Sequence, residues 1–457
     1  MDNSLIGRVR GEWSATDEVV VEFGNGDTGP RRTAPVRVED GAYEVNVARL
    51  RPETAYEFQV FGVGLDGEDV PGPTGMFETG SLPPGLQRVQ FNVVEGAASS
   101  DLTLMDLNLV EWEGQPAFTG LVAIDSASEI VWYSKSPGET NAMARQDNGN
   151  FVYIDHSFGL REVTPLGEPV AEMQSSCVPI VYHHEVEVLP DGSVLTMGFD
   201  VRDTFDDADR LQVGDTIWRW DPQTGAMDEV WSIHDVEDAT ANRTDDSDIP
   251  EGFMWRGCDE DLPTQDWTHG NSVKLAPDGS FVVSSRHLDQ VHSISSDFGS
   301  VNWRLGGEGS SFDFPDPADR FYHQHSPRQL ENGNILLFDN GNTRPEEEGG
   351  HYSRALELEL DFESMTAQRV WEYVADPAIY SPCCASLERL DNDNTLMIFP
   401  GDTYEEDICC RVQTIVEADP AQRTVWKTEV TGPGISVIYR AYAGDSILGE
   451  ERVSAVP

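Results

Sequence analysis

The sequence predicts an all-β chain, a six-bladed β-propeller preceded by a small β-sandwich, and three observations predict it. The composition is turn-rich, with 41 Gly, 27 Pro and 11 Trp and few long apolar stripes at helical spacing. A hairpin turn recurs between apolar strands: Asp147-Asn148-Gly149-Asn150, Pro190-Asp191-Gly192-Ser193, Pro277-Asp278-Gly279-Ser280, Glu331-Asn332-Gly333-Asn334 and Asp391-Asn392-Asp393-Asn394. An outer-strand refrain ending in Trp recurs as Val131-Trp132, Val230-Trp231, Asn302-Trp303, Val370-Trp371 and Val425-Trp426, with a degenerate copy at Gly167-Glu168-Pro169-Val170. Repetition on this scale marks blades set around an axis.

Residues 1–82 read as a sandwich domain of fibronectin-III-like type. Alternation is clear in Val19-Val20-Val21-Glu22-Phe23 and in Tyr43-Glu44-Val45-Asn46-Val47. Tyr56 stands where such a fold packs a corner tyrosine and hydrogen-bonds it back to the chain. A turn-rich linker, Thr79-Gly80-Ser81-Leu82-Pro83-Pro84-Gly85, closes the unit, and residues 86–457 form the propeller. Six refrains and five turns imply six blades. The sixth is split, with outer strands from about residues 120–133 and an inner strand from Gly434-Ile435-Ser436-Val437-Ile438-Tyr439-Arg440. Such closure ties the ends of the ring together and leaves few exposed edges. The longest insertion, about 235–266, is acidic and too long for a plain connector, and reads as a lid or a surface loop.

The chain carries 82 acidic residues against 30 basic ones, a formal charge of −52, and only three lysines: Lys135, Lys274 and Lys427. Such a surface keeps the protein soluble and repels phosphate backbones, which excludes nucleic acid as a partner. An anionic substrate therefore needs a local basic site that overcomes the global field. No run of 18 apolar residues occurs, so no membrane span is expected. The six cysteines are Cys177, Cys258, and the adjacent pairs Cys383-Cys384 and Cys409-Cys410. An even count in a β-rich chain suits disulfides in an oxidising compartment, with metal binding or buried thiols as alternatives. A periplasmic or secreted location is expected, its signal peptide absent from this sequence.

Counting from the turns collects the chemistry. His184 lies seven residues before Asp191, His325 seven before Asn332, and Asn271 seven before Asp278, with His269 two residues earlier on the same face. The innermost strand of each blade lines the axis, so equivalent positions meet at one mouth. Counting forwards, Arg286, Asn340 and His156 each lie eight residues after their turns, and Cys383-Cys384 reaches the same rim. His183, His287 and His323 point to the opposite face if the strands are regular. His234, His292 and His351 read as surface or satisfied core residues. Two chemistries suit such a ring. One is a metal site, which Arg286 opposes, because a fixed cation beside a dication is costly without carboxylates. The other is transfer of an oxyanion-rich group, with neutral imidazole as nucleophile and a guanidinium as oxyanion clamp. No metal or other cofactor is expected.

The segments Tyr182-His183-His184-Glu185-Val186, Asp266-Trp267-Thr268-His269-Gly270-Asn271-Ser272-Val273, Ser284-Ser285-Arg286-His287, Gln324-His325-Ser326 and Phe338-Asp339-Asn340-Gly341-Asn342 followed by Ser353-Arg354 resemble the bacterial arylsulfate sulfotransferase family. The resemblance extends over nearly the whole chain. It implies transfer of a sulfuryl group from a phenolic sulfate ester to a phenolic acceptor, without a nucleotide donor, through a sulfohistidine. By motif, His325 would be the nucleophile. His184, His269 and Arg286 would bind sulfuryl oxygens and handle the phenolic proton. Asn271, Asn340 and His156 would complete the substrate side. The partners are then a small aromatic sulfate donor and a phenolic acceptor, with a homodimer left open. Apolar walls are offered by Phe199, Phe253, Trp255, Phe321 and Tyr322. The competing readings are a sulfatase-like or metal-dependent enzyme using the same ring, and a non-catalytic binding propeller.

Overall fold

The computed structural model describes all residues except 1–2, 15, 27–28, 65–68, 176–181, 203–210, 238–263, 402–411 and 454–457. Most of the expected insertion, with Phe253 and Trp255, lies outside the described residues, as do Cys177, Cys258, Cys409 and Cys410. The described chain is nearly all β, interrupted by single-turn 3-10 helices. No helix among the described residues is long and apolar enough to cross a membrane.

Six sheets share one up-and-down antiparallel order. Five of them begin on Thr140–Arg145, Tyr182–Val188, Gly270–Leu275, His325–Gln329 and Ser386–Arg389, and each runs outward through three further strands. The remaining sheet joins both ends of the chain, with Ala441–Gly444 on Leu102–Leu109, then Phe118–Asp125 and Ile130–Lys135. First strands touch in succession from Thr140–Arg145 to Ala441–Gly444, and Leu102–Leu109 meets Thr140–Arg145 again. The arrangement is propeller-like. The hairpins turn where expected, on Gly149, Gly192, Gly279, Gly333 and Asp393, all at positive φ. The Trp refrain sits in the outer strands, and Trp132, Trp231, Trp303, Trp371 and Trp426 are all buried between sheets. Each such side chain removes roughly 150–250 Å² from water, about 4–6 kcal/mol of transfer free energy as an upper estimate.

Two features depart from the sequence expectation. The inner strand of the split sheet is Ala441–Gly444, not 434–440, which meets the sheet only through a bridge between Leu109 and Ile435. The segment has another task, since Asp106 accepts the backbone N–H groups of Tyr439 (3.1 Å) and Arg440 (2.7 Å). The outer edge of the Ser386–Arg389 sheet is covered by an unexpected fifth strand, Gln90–Gly96.

The N-terminal unit packs Gly7–Glu12 and Ala42–Val47 against a sheet built on Glu18–Gly24, Ala55–Val63 and Asp69–Glu78. Val9, Val21, Val45 and Val60 fill the space between them. The Tyr56 hydroxyl accepts the Arg51 N–H at 2.8 Å, the corner contact expected. The chain end returns here, with Glu451–Arg452 pairing with Arg31–Arg32.

Four first strands carry a register shift at the same level, at Asn141/Met143, His183/Val186, Gly270/Ser272 and His325/Arg328. Positive φ at or beside these shifts falls on Ala142, His184, His269 and Ser326. The bulges turn carbonyls toward the axis, where the fully buried Arg440 collects them. Its guanidinium donates to the carbonyls of His184 (3.2 Å), Asn271 (2.9 Å) and Ala385 (2.6 Å), to Ser326 Oγ (2.6 Å) and to Glu185 Oε2 (3.3 Å). Arg440→Met should leave these acceptors unpaired and cost about 3–5 kcal/mol, the usual penalty for breaking one side of a buried ion pair. Urea denaturation should show a lower midpoint with an unchanged m value.

Candidate active site

His325 is held by groups whose chemistry fixes its tautomer. Asn340 donates from Nδ2 to the carbonyls of Ser381 (2.8 Å) and Cys384 (3.1 Å). Its Oδ1 is therefore the atom 2.8 Å from His325 Nδ1, and an amide oxygen only accepts. His325 must carry its proton on Nδ1, which leaves a lone pair on Nε2. The Cys384 N–H approaches that nitrogen at 3.1 Å. Burial, then the Arg286 charge, hold the His325 pKa well below the ordinary histidine value, and Arg440 adds to the effect.

The other imidazoles gather beside it. His184 and His269 lie 5.2 Å apart between ring centroids, and Tyr439 lies 5.4 Å from His184 and 6.3 Å from His325. Burial and the neighbouring His183, His269 and His325 push His184 well below its usual range. Asp266 Oδ2 is hydrogen-bonded to His269 Nδ1, and its Oδ1 accepts the His269 N–H at 3.1 Å. A carboxylate at Nδ1 fixes the orientation of the His269 ring. Burial raises the Asp266 carboxyl, but His269, His287 and Arg286 together hold it below the usual carboxylate range. Arg286 opens a 3-10 turn after Phe281–Ser285. It donates from Nη2 to the Pro382 carbonyl (3.1 Å), while its buried Nε has no acceptor among the described residues.

The structure brings His184, His269, His325, Arg286 and Asn340 together. It gives Asn340 a positioning task, because both amide donors and the acceptor are occupied. Asn271 donates to the Gln324 carbonyl at 2.8 Å and keeps a buried Oδ1 without a partner among the described residues. His156 is felt electrostatically by His183.

The expected opposite-face placement of His183, His287 and His323 is corrected. His183 Nδ1 is 2.7 Å from His184 Nδ1, His287 lies 4.7 Å from His269 between centroids, and His323 lies 5.8 Å from His287. The bulges at His184 and His269, and positive φ at His323, reset the alternation on which that expectation rested. Among the expected walls, Phe199 stacks on His183 at 4.1 Å. Phe321 is instead buried in an apolar cluster with Trp303 and Phe312, and Tyr322 donates its hydroxyl to Glu348 at 2.8 Å.

Sequence reading missed Asp266, Tyr439 and Arg440. Asp266 was legible in principle, three residues before His269 in Asp266-Trp267-Thr268-His269. The reason for the close packing here is also local. A Cβ on Gly270 would stand 2.6 Å from Asp215 Cγ, and Asp215 takes the Gly270 N–H at 2.5 Å. Burial, then the nearby Asp266 charge, raise Asp215 to about 7.

A cation could be held by Asp266, His269 and His287, whose ligand atoms all lie within 4.8 Å of one another. The Cys383 and Cys384 sulfurs are 2.9 Å apart, and no disulfide joins two described residues. Nitrogen NMR of the imidazoles should show His325 as the Nδ1–H tautomer. It should stay neutral as pH falls from 8 through ~6.5, the ordinary histidine value, because a lowered pKa moves protonation to more acid pH. Titration of His325 near that ordinary value would contradict the geometry.

The profile of the family described as Arylsulfotransferase (ASST) matches residues 93–440. The chain is 29% identical over 184 residues to the arylsulfate sulfotransferase AssT of Escherichia coli O6:H1, a match covering 32% of this chain and 29% of that protein. It is 26% identical over 175 residues to the AssT of Lelliottia amnigena, covering 30% and 28%. The chain thus spans under a third of the length of these curated relatives. A Bacteroides caccae protein of unknown function superposes with a TM-score of 0.44 and 15% identity over 75% of this chain and 98% of that one. With a family profile covering the stretch that carries every residue of the histidine ring, the chain belongs to the arylsulfotransferase family.

Proposed function

We propose that the chain is an aryl sulfotransferase that moves a sulfuryl group from a phenolic sulfate ester to a phenol through a sulfohistidine on His325. In this reading residues 86–457 are a six-bladed propeller and residues 1–82 a fibronectin-III-like sandwich. The observation that carries the reaction is the tautomer of His325: an unprotonated, buried Nε2 beside a guanidinium is a nucleophile ready at neutral pH.

The steps balance as a double displacement. The Nε2 lone pair forms the N–S bond while the S–O bond to the donor phenol breaks. The phenolate leaves with that electron pair and takes the Nε2 proton of His269, which enters this step as the imidazolium and leaves it neutral. Its parent pKa is near ~10, so protonation lowers the cost of departure. The acceptor phenol returns a proton to the same imidazole, its oxygen attacks sulfur, and the N–S pair goes back to Nε2. Asp266 orients His269, accepting its backbone N–H and bonding its Nδ1. Arg286, with a free Nε, offers a planar fork to the peripheral sulfuryl oxygens. Asn340 accepts from Nδ1–H and so supports the charge that His325 gains as Nε2 is sulfated.

His325→Ala should abolish both half-reactions, and intact-mass analysis should show one added sulfuryl group on the wild type after donor alone. Wild-type-level transfer by that variant would overturn the assignment. Arg286→Lys keeps the charge but loses the fork, and should lower kcat by about 10²–10³. The Asp266, His269 and His287 group favours a second reading, metal-assisted transfer to water. Active protein free of stoichiometric metal, with product sulfate appearing only on the phenol, would remove it.

A further inference from the structure

The ring of first strands has a second mouth, on the side of the hairpin turns. A cavity of about 520 Å³ opens there, lined by residues from every sheet of the ring. It lies beyond Arg440 and is separated from the histidines by a buried ion chain. Arg440 contacts Glu185, whose other oxygen is 3.1 Å from Lys274 Nζ, and Lys274 is 2.9 Å from Glu187.

The cavity is unusual in what its charges do. Two of its carboxylates are occupied: Glu187 takes Lys274 and the Leu275 N–H (3.1 Å), and Glu388 takes the Ala443 N–H (3.0 Å). The third, Asp445, acts on Arg145 through its charge. Neither guanidinium forms an ion pair with a carboxylate among the described residues. Arg145 donates to the carbonyls of Ser446 and Ile447. The Arg328 side chain makes no hydrogen bond and no ion pair among the described residues, and its Nε is buried without an acceptor there. In a chain with 82 acidic and 30 basic side chains, partners for an arginine are abundant, so a guanidinium left open in a cavity calls for a ligand. Leu104, Met143 and Leu275 supply an apolar part of the wall, and the Tyr442 ring stands 5.9 Å from Lys274.

We propose that this cavity is a second binding site, separate from the histidine ring, for a small organic anion. The oxyanion head sits on Arg328, and the apolar body lies against Leu104, Met143 and Leu275. The volume suits a ligand of that size, and a charge-assisted fork supplies orientation. The inference does not depend on the proposed reaction.

Benzenesulfonate is a suitable probe, since its C–S bond gives it the head and body without a transferable group, and inorganic sulfate tests the head alone. Two methionines report the two mouths: Met143 lines the cavity, and Met197 lies beside Gly270 at the histidine ring. With methyl-labelled methionine in the full chain, benzenesulfonate should shift the Met143 signal saturably, and sulfate should do so more weakly. Arg328→Gln should weaken the Met143 response about tenfold or more, the loss of one charge-assisted bond, with aryl sulfate turnover kept within about twofold of wild type. Arg328→Lys, which keeps the charge and loses the fork, should fall between. A Met143 signal that does not move, or that moves equally in wild type and Arg328→Gln, overturns the site. So does a benzenesulfonate response confined to Met197.

Discussion

A buried guanidinium on the axis is the constraint on which the rest of the ring depends. Arg440 is fully buried, and burial alone disfavours its charge. The charge persists because Glu185 lies within 3.3 Å and because carbonyls from three sheets converge on it. The carbonyls of His184 and Asn271 face the axis because their strands are bulged there, and that of Ala385 lies in a residue run at positive φ. A regular strand would direct its carbonyls along the sheet into ladder bonds. The bulge, the positive φ and the guanidinium therefore form one device, in which local backbone strain is offset by charge-assisted hydrogen bonds. The same bulges place His184 and His269 next to the axis.

The electrostatics of the site follow from that placement. The chain as a whole is strongly negative, yet two arginines, Arg286 and Arg440, act on His325. Both keep the imidazole neutral, and neutrality is what a nitrogen nucleophile requires. The opposing global field is spread over a large wetted surface and screened within a Debye length of roughly 8–10 Å. The local field acts in a dry space, where each charge counts for more. Under the proposed reaction, a sulfated substrate that reaches the ring would meet cations first. The acidic exterior is thus compatible with the proposed handling of an anion, because the two fields operate at different distances and in different dielectrics.

Much of this was legible in the residues. Turn counting works because each hairpin has a fixed length from the Gly at positive φ to the rim, so His184, His325 and Arg286 fall together across a hundred and more positions of sequence. The outer Trp refrain works for a similar reason, since each blade must bury one large side chain against its neighbour. The failures share one cause. Period-two alternation assigns faces only while a strand is regular, and the functional stretch is where regularity stops. His183, His287 and His323 were misplaced for that reason. Arg440 was invisible as a functional group because it lies outside any repeat and just ahead of the closing strand, in a segment held by Asp106 rather than by a ladder. Asn340 was found by counting, but its task as a tautomer lock depends on two carbonyls from another sheet that no spacing encodes.

The axis itself is best understood as a line of alternating charge. From the histidine mouth it runs Arg440, Glu185, Lys274, Glu187, with every link at hydrogen-bond range or close to it. Each interior member has two partners, so the line is stable as a whole although each ion is costly alone. Its consequence for the two mouths is separation. Glu185 faces both Arg440 and Lys274, so the line turns a cation toward the ring on one side and ends on the Lys274–Glu187 pair at the hairpin cavity on the other. A filled hydrophobic axis would have closed the channel equally well, but it would have offered neither mouth a cation. The ion line closes the channel and sets Arg440 toward the ring and Lys274, paired with Glu187, toward the cavity, in a protein whose remaining surface is overwhelmingly acidic.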